Sequence, residues 1–143
     1  GDQIVAQPME IDGETYGVTL VNLGNPHCVI FADRVDDVPV ATLGPKIENS
    51  KYFPKRTNVE FIRVVNPVTI KMRVWERGNG ETLACGTGAA AAAIACVLNG
   101  FCKKDTDITV KVRGGDLIVN YRSDGSVFLT GSVEKIYEGK VEF

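Results

Sequence analysis

The sequence predicts an α+β fold, a mostly antiparallel sheet wrapped around a central alanine-rich helix. Three observations carry that expectation. Short runs of β-branched and apolar residues recur between Gly, Asn, Asp and Pro clusters and read as strands. The junctions between them are mostly tight turns, as hairpins require. One segment, residues 86–98, holds five consecutive alanines and stops at Asn99-Gly100, which is the signature of a helix.

Taken in chain order, residues 15–22 and 28–31 are strands flanking the Gly24-Asn25-Pro26 turn. Residues 40–49 form a short helix that Gly44 and Pro45 interrupt. The clearest hairpin joins strands 58–65 and 68–76 at Asn66-Pro67. In its second strand Val68, Ile70, Met72 and Val74 face inward while Lys71 and Arg73 face outward. Small side chains along helix 86–98 let strands approach it closely. Strands 108–112, 116–121, 126–130 and 133–137, separated by Gly114-Gly115 and Asp124-Gly125, read as an antiparallel meander. The last of these, continuing to Phe143, presents an edge open to association.

A chain of 143 residues fits one domain, residues 1–143, with its own core. With 44% apolar and 24% charged residues its composition is that of an ordinary globular protein. No apolar run approaches the ~18 residues of a membrane span, and no secretory or basic targeting segment opens the chain. The expectation is a cytoplasmic protein with no membrane partner. A formal net charge of −2, with Lys and Arg scattered, leaves no footprint for nucleic acid. The four cysteines (Cys28, Cys85, Cys96, Cys102) and the single His27 contain neither C-x-x-C nor H-x-x-x-H spacing, so no metal site is expected. Disulfides are out of place in a reducing compartment.

Chemistry concentrates in residues 75–88, where charge and glycine break the strand pattern just before the alanine helix. Cys85 stands at the helix N-terminus, whose positive end favours thiolate over thiol. Gly86, Thr87 and Gly88 leave backbone N–H groups open to an anion. A thiolate beside a carboxylate-binding amide cluster suits removal of a proton from the carbon next to that carboxylate; it equally suits covalent attack on a carbonyl. A lone cysteine is more often simply a buried small hydrophobe, and Cys28, Cys96 and Cys102, which lack this setting, are read as packing residues. Two further polar spots converge on the same region, Asn25-Pro26-His27 and Arg56-Thr57-Asn58. His27 is either a structural histidine or the one side chain here that titrates near neutrality, and Glu76 either a solvated strand-end carboxylate or a site group.

Gly86 to Ala91 also fits the G-x-G-x-x-A dinucleotide pattern, with Asp105 and Asp107 about twenty residues further on. A long polar loop after Glu76 replaces the tight strand-to-helix turn that pattern needs, and hairpins are expected around it. No lysine follows Gly86 or Gly88, so the G-x-x-x-x-G-K-[ST] phosphate loop fails too.

Gly24-Asn25-Pro26-His27, Arg56-Thr57-Asn58-Val59-Glu60-Phe61 and Glu76-Arg77-Gly78-x-Gly80-x-Thr82-x-Ala84-Cys85-Gly86-Thr87-Gly88-Ala89 together closely resemble the C-terminal half of the diaminopimelate epimerase family. The resemblance runs from about Val18 to the end and implies one half of a pseudo-symmetric fold. It implies a cofactor-independent, two-base enzyme interconverting LL- and meso-diaminopimelate for lysine and peptidoglycan synthesis. One cysteine takes the α-proton as thiolate while another returns one as thiol. On this resemblance Cys85 is the C-terminal catalytic cysteine, and the amides of Gly86 and Thr87 bind the reacting α-carboxylate. Glu76 and the Arg77 backbone lie near the α-ammonium, and the Arg77 side chain with Asn25 and Asn58 holds the distal end. His27 and Glu76 tune cysteine ionisation. The family's N-terminal half, bearing the partner cysteine, has no counterpart in this sequence, so the resemblance implies an inactive domain fragment of an enzyme that is homodimeric when whole. A histidine- or proline-racemase-like enzyme, or a non-catalytic carboxylate- or phosphate-binding module, stands as the alternative.

Overall fold

The computed structural model describes residues 4–83 and 85–131, and residues 134–140 as backbone. Ten strands form one sheet: β1 (Ile4–Ile11), β2 (Glu14–Asn22), β3 (Pro26–Phe31), β4 (Asn58–Asn66), β5 (Thr69–Glu76), β6 (Gly80–Thr82), β7 (Asp107–Val112), β8 (Gly115–Tyr121), β9 (Ser126–Gly131) and β10 (Glu134–Lys140). They lie in the order β1-β2-β3-β4-β5-β7-β8-β9-β10, with β6 paired to β5. Among the described residues two helices, α1 (Val40–Glu48) and α2 (Gly86–Leu98), complete the regular structure apart from a 3-10 turn at Val35–Asp37. The mixed α+β class with a mostly antiparallel sheet is as expected, and β7 to β10 form the meander, although Val133 of the last expected strand lies outside the described residues.

The surroundings of the alanine helix differ from expectation. Strands β3 and β4 are parallel, as are β5 and β7, and parallel neighbours need a crossover. The first crossover carries α1 and the second carries α2, so α2 is not set among hairpins alone. What separates it from a dinucleotide fold is β6, which folds back on β5 with Glu76 opposite Gly80 before the helix begins.

The two helices cover opposite faces of the central strands. Ala89, Ala90, Ala91, Ala92, Ala93, Ile94, Ala95 and Cys96 are all buried in one cluster with Val29, Ile62, Ile70, Met72 and Val74. Without side chains beyond Cβ, most of α2 admits close approach, and it touches β2, β3, β4, β5, β7, β8 and β9. The second cluster joins Cys28, Ile30, Val59 and Phe61 to Val40 and Ile47 of α1. Residues alternate between faces along a strand, so β3 sends Val29 toward α2, and Cys28 and Ile30 toward α1. Covered on both faces, the first five residues of β4 are all buried.

In β5, Ile70, Met72 and Val74 face the core as expected, but Val68 precedes the strand and is 45% exposed. The outward position of Arg73 is not solvated. Its guanidinium pairs with Glu81 through Nε and Nη2 at 2.8 and 3.0 Å, and Nη1 donates to the carbonyls of Val35, Asp36 and Val38. That clamp ties β6 to the 3-10 turn. Helix α1 runs through Gly44 and Pro45 unbroken, because Gly44 is where Trp75 packs against the helix backbone. Strand β1 was not expected. Most of its residues are exposed, it carries Pro8, and its register shifts between Ile4 and Gln7, so no alternation marks it.

Candidate active site

The site is assembled where three core strands end against the start of α2. Two-residue alternation brings the ends of β3, β4 and β5 to the α2 face: His27 shares a face with Val29, Glu60 with Ile62, and Glu76 with Val74. After Glu76 the chain reverses at Gly78 and Gly80, with φ of +80° and +89°, values that favour glycine. It returns as β6, then reaches Cys85.

Cys85 is the N-cap of α2, extended at φ −140° and ψ 114°, and its carbonyl accepts the first helical bond from Ala89. Its sulfur replaces the usual capping oxygen: the Gly88 N–H donates to Sγ at 3.3 Å, and Thr87 Oγ1 lies 3.7 Å away. Gly86 and Thr87 are the first two helical residues, so their N–H groups have no acceptor within the helix. Gly88 lacks a side chain for a visible reason. A Cβ there would sit 3.2 Å from Cys85 Sγ and 3.2 Å from Glu60 Oε2.

Electrostatically the thiol departs from expectation. Burial is the largest influence and pushes the Cys85 pKa up; the Gly88 amide and Thr87 hydroxyl oppose it, while Glu60 and Glu76 add to it. The helix terminus does not win in this environment, and Cys85 rests as a thiol. Alkylation by iodoacetamide is therefore expected to rise with a midpoint above about pH 8.5, the ordinary cysteine value. A midpoint below pH 8 would show that the helix end outweighs burial.

Beneath the cysteine lies a buried chain of polar groups. His27 Nδ1 is 3.0 Å from Glu60 Oε2, with both side chains wholly buried, and His27 Nε2 is 3.0 Å from Asn25 Oδ1. Burial raises the Glu60 pKa, and His27 works against that rise. The histidine is thus partnered by Glu60 and not by Glu76. Glu60 was present in the sequence motif with no role attached, since a carboxylate inside a strand reads as solvent-facing until the opposite face is known to be covered.

Asn58 is 6% exposed and its amide is engaged at both ends: Oδ1 accepts the Arg77 N–H at 2.8 Å and Nδ2 donates to the Pro26 carbonyl at 3.2 Å. It binds the two site loops together. A second brace is Glu48 of α1, which accepts from Trp75 Nε1, Arg56 Nε and the Gly78 N–H, all at 2.9 Å. Burial works against its charge, but these bonds and the Arg56 cation outweigh it and hold the carboxyl below its usual pKa. Beside this brace opens a cleft of about 610 Å³ lined by Asn25, Tyr52, Lys55, Arg56 and Arg77, among others. Cys85 is not among its lining residues; Asn25 belongs both to the cleft and to the buried chain that leads toward Cys85.

A sequence profile of the family described as diaminopimelate epimerase matches residues 19–136. The chain belongs to the diaminopimelate epimerase family. It is 48% identical over 141 residues to diaminopimelate epimerase from Pelotomaculum thermopropionicum, covering 99% of this chain and 50% of that one. Against the Acetivibrio thermocellus enzyme of the same name it is 50% identical over 137 residues, covering 95% and 48%. The chain spans about half the length of the curated relatives it matches. Among solved structures, a protein titled a predicted epimerase from Pseudomonas aeruginosa superposes with TM-score 0.58 at 19% identity, over 91% of this chain and 46% of that one. A phenazine biosynthesis PhzF-family protein from Bacillus anthracis gives 0.55, also at 19%, over 90% and 37%. At that identity both establish only the fold. Among the described residues no helix is long and apolar enough to cross a membrane, and no three His, Cys, Asp or Glu side chains gather as a metal site.

Proposed function

We propose that this chain is the C-terminal catalytic half of a cofactor-independent epimerase interconverting LL- and meso-diaminopimelate, in the cytoplasm, for lysine and peptidoglycan synthesis. The observation that carries the reading is Cys85, in a chain of this family, capping α2 directly beside the amides of Gly86 and Thr87, which have no acceptor within the helix. Those amides hold the α-carboxylate and place the α-carbon against Sγ, so proton transfer needs no diffusive encounter. Since burial and two carboxylates keep Cys85 as a thiol, it is the group poised to return a proton. The partner cysteine, from an N-terminal half, takes one as thiolate on the opposite face.

Glu76 accepts from the α-ammonium, and Asn25 and Arg77 in the cleft take the distal amino-acid end. Asn58 supports them by fixing the Arg77 backbone. Residues 1–143 constitute one domain, its sheet wrapped about α2 as half of a pseudo-symmetric pair, and the whole enzyme is a homodimer. The test is α-hydrogen exchange from diaminopimelate in heavy water. The chain alone is expected to show none above background, and the chain joined to an N-terminal half from a relative should exchange. Enzyme-like exchange by the chain alone would sink the two-cysteine reading.

A further inference from the structure

We propose that Glu48 is a positioning residue of the cleft: one of its carboxylate oxygens pins both walls, residues 55–56 and 77–78, and so holds Arg77 in place for the distal end of an amino-acid substrate. The role toward substrate rests on the epimerase reading; the pinning rests on geometry alone.

Residues 77–79 form the turn between β5 and β6, and its three amides are all accounted for. The Arg77 N–H donates to Asn58 Oδ1 at 2.8 Å, the Gly78 N–H to Glu48 Oε2 at 2.9 Å, and the Asn79 N–H to the Glu76 carbonyl at 3.0 Å. Of these bonds only the last lies within the hairpin. Glu76 is secured by its pairing with Gly80, whereas the next two residues hang on side chains sent from β4 and α1.

The opposite wall reaches the same oxygen. Arg56 Nε and Nη2 lie 2.9 and 2.7 Å from Glu48 Oε2. Arg56 has φ of +68°, a conformation that a residue with a long side chain keeps only where its surroundings impose it. Its guanidinium lies over the turn, since a Cβ at Gly78 would sit 3.2 Å from Nη2. Arg77 Nη1 in turn donates to the Lys55 carbonyl at 3.4 Å. Arg77 is thus held at its backbone and at its side chain, and Glu48 grips the residue adjoining each hold, Gly78 on one side and Arg56 on the other.

The chemistry at this point asks for a carboxylate. Among the described residues Trp75 Nε1 donates to Oε1, and Arg56 and Gly78 donate to Oε2. A glutamine would turn its NH₂ against donors on one side or the other. Glu48 is also the last residue of α1 and only 4% exposed, so the negative end of the helix dipole and burial both work against its charge. The helix by itself gains nothing from a glutamate there; the cleft walls do.

The experiment compares Glu48→Gln and Glu48→Ala with the unchanged sequence. In the 143-residue chain, amide hydrogen exchange at Arg77 and Gly78 should quicken by about 10-fold or more in the alanine variant while the β4 amides stay protected. In the chain joined to an N-terminal half from a relative, KM for diaminopimelate should rise about 10-fold and kcat stay within about 3-fold, because binding is lost and the chemistry at Cys85 is not. The glutamine variant should fall between on both readouts. An unmoved Gly78 amide, an unchanged KM, or protection lost across β4 and β5 together, which is what a merely structural role gives, would each overturn the proposal. Where the alanine variant fails to fold, the glutamine variant, which fills the same space, decides. Absence of α-hydrogen exchange in the unsubstituted joined enzyme would sink the epimerase reading instead, and the amides of the turn would still decide the pinning.

Discussion

Replacing Cys85 by serine in the two-half enzyme is expected to slow α-hydrogen exchange by about 10²–10⁴-fold, the range over which one positioned proton-transfer group contributes. A serine hydroxyl neither gives up nor returns a proton at neutral pH as readily as a thiol. The substitution separates chemistry from architecture because serine is a favoured N-cap. Its Oγ can take the Gly88 N–H that Sγ now accepts, so thermal stability should change little. Exchange measured by mass increase of diaminopimelate in heavy water, with circular dichroism of the same sample, checks both halves. Full exchange in the serine variant would remove Cys85 from the mechanism.

Gly44→Ala is expected to destabilise the chain by about 1–3 kcal/mol, toward the upper end. The added Cβ would lie 2.4, 2.6 and 2.8 Å from Trp75 Cγ, Cδ2 and Cβ, distances at which something must move. Trp75 cannot withdraw easily. Its backbone is in register with Val59 of β4 and Glu81 of β6, and its Nε1 donates to Glu48. Alanine gains about 1 kcal/mol of helix propensity over glycine, which the overlap with the ring exceeds. Either α1 lifts away and Glu48 loses its hold on Gly78, or the indole turns and Nε1 loses its bond to Glu48. The midpoint of thermal unfolding should fall by several degrees. An unchanged or raised midpoint would show that α1 and β5 are looser than these distances require.

Much of the site was legible in the sequence because it is written in contiguous residues. Five alanines running to Asn99-Gly100 set the span of α2, and a cysteine directly before Gly-Thr-Gly placed it at that helix's start, since helix boundaries depend on neighbours a few positions away. Strict alternation from Val68 to Val74 likewise marked the core face of β5 at Ile70, Met72 and Val74, though Val68 falls before the strand and is exposed. What local pattern could not reach was the pairing of distant strands. The parallel registers of β3 with β4 and β5 with β7 decide that His27 meets Glu60 across 33 residues of chain. They also decide that α1 covers the face opposite α2, where Arg73, an outward position in the sequence, is enclosed as the partner of Glu81, while Glu60 is enclosed on the α2 face. The positive helix end at Cys85 was visible in the sequence; the burial and the two carboxylates that overrule it come from elements brought together only by the fold. Whether a charged residue is solvated or enclosed depends on what lies above its strand, and that is fixed by register and crossover, not by the residue's own neighbours.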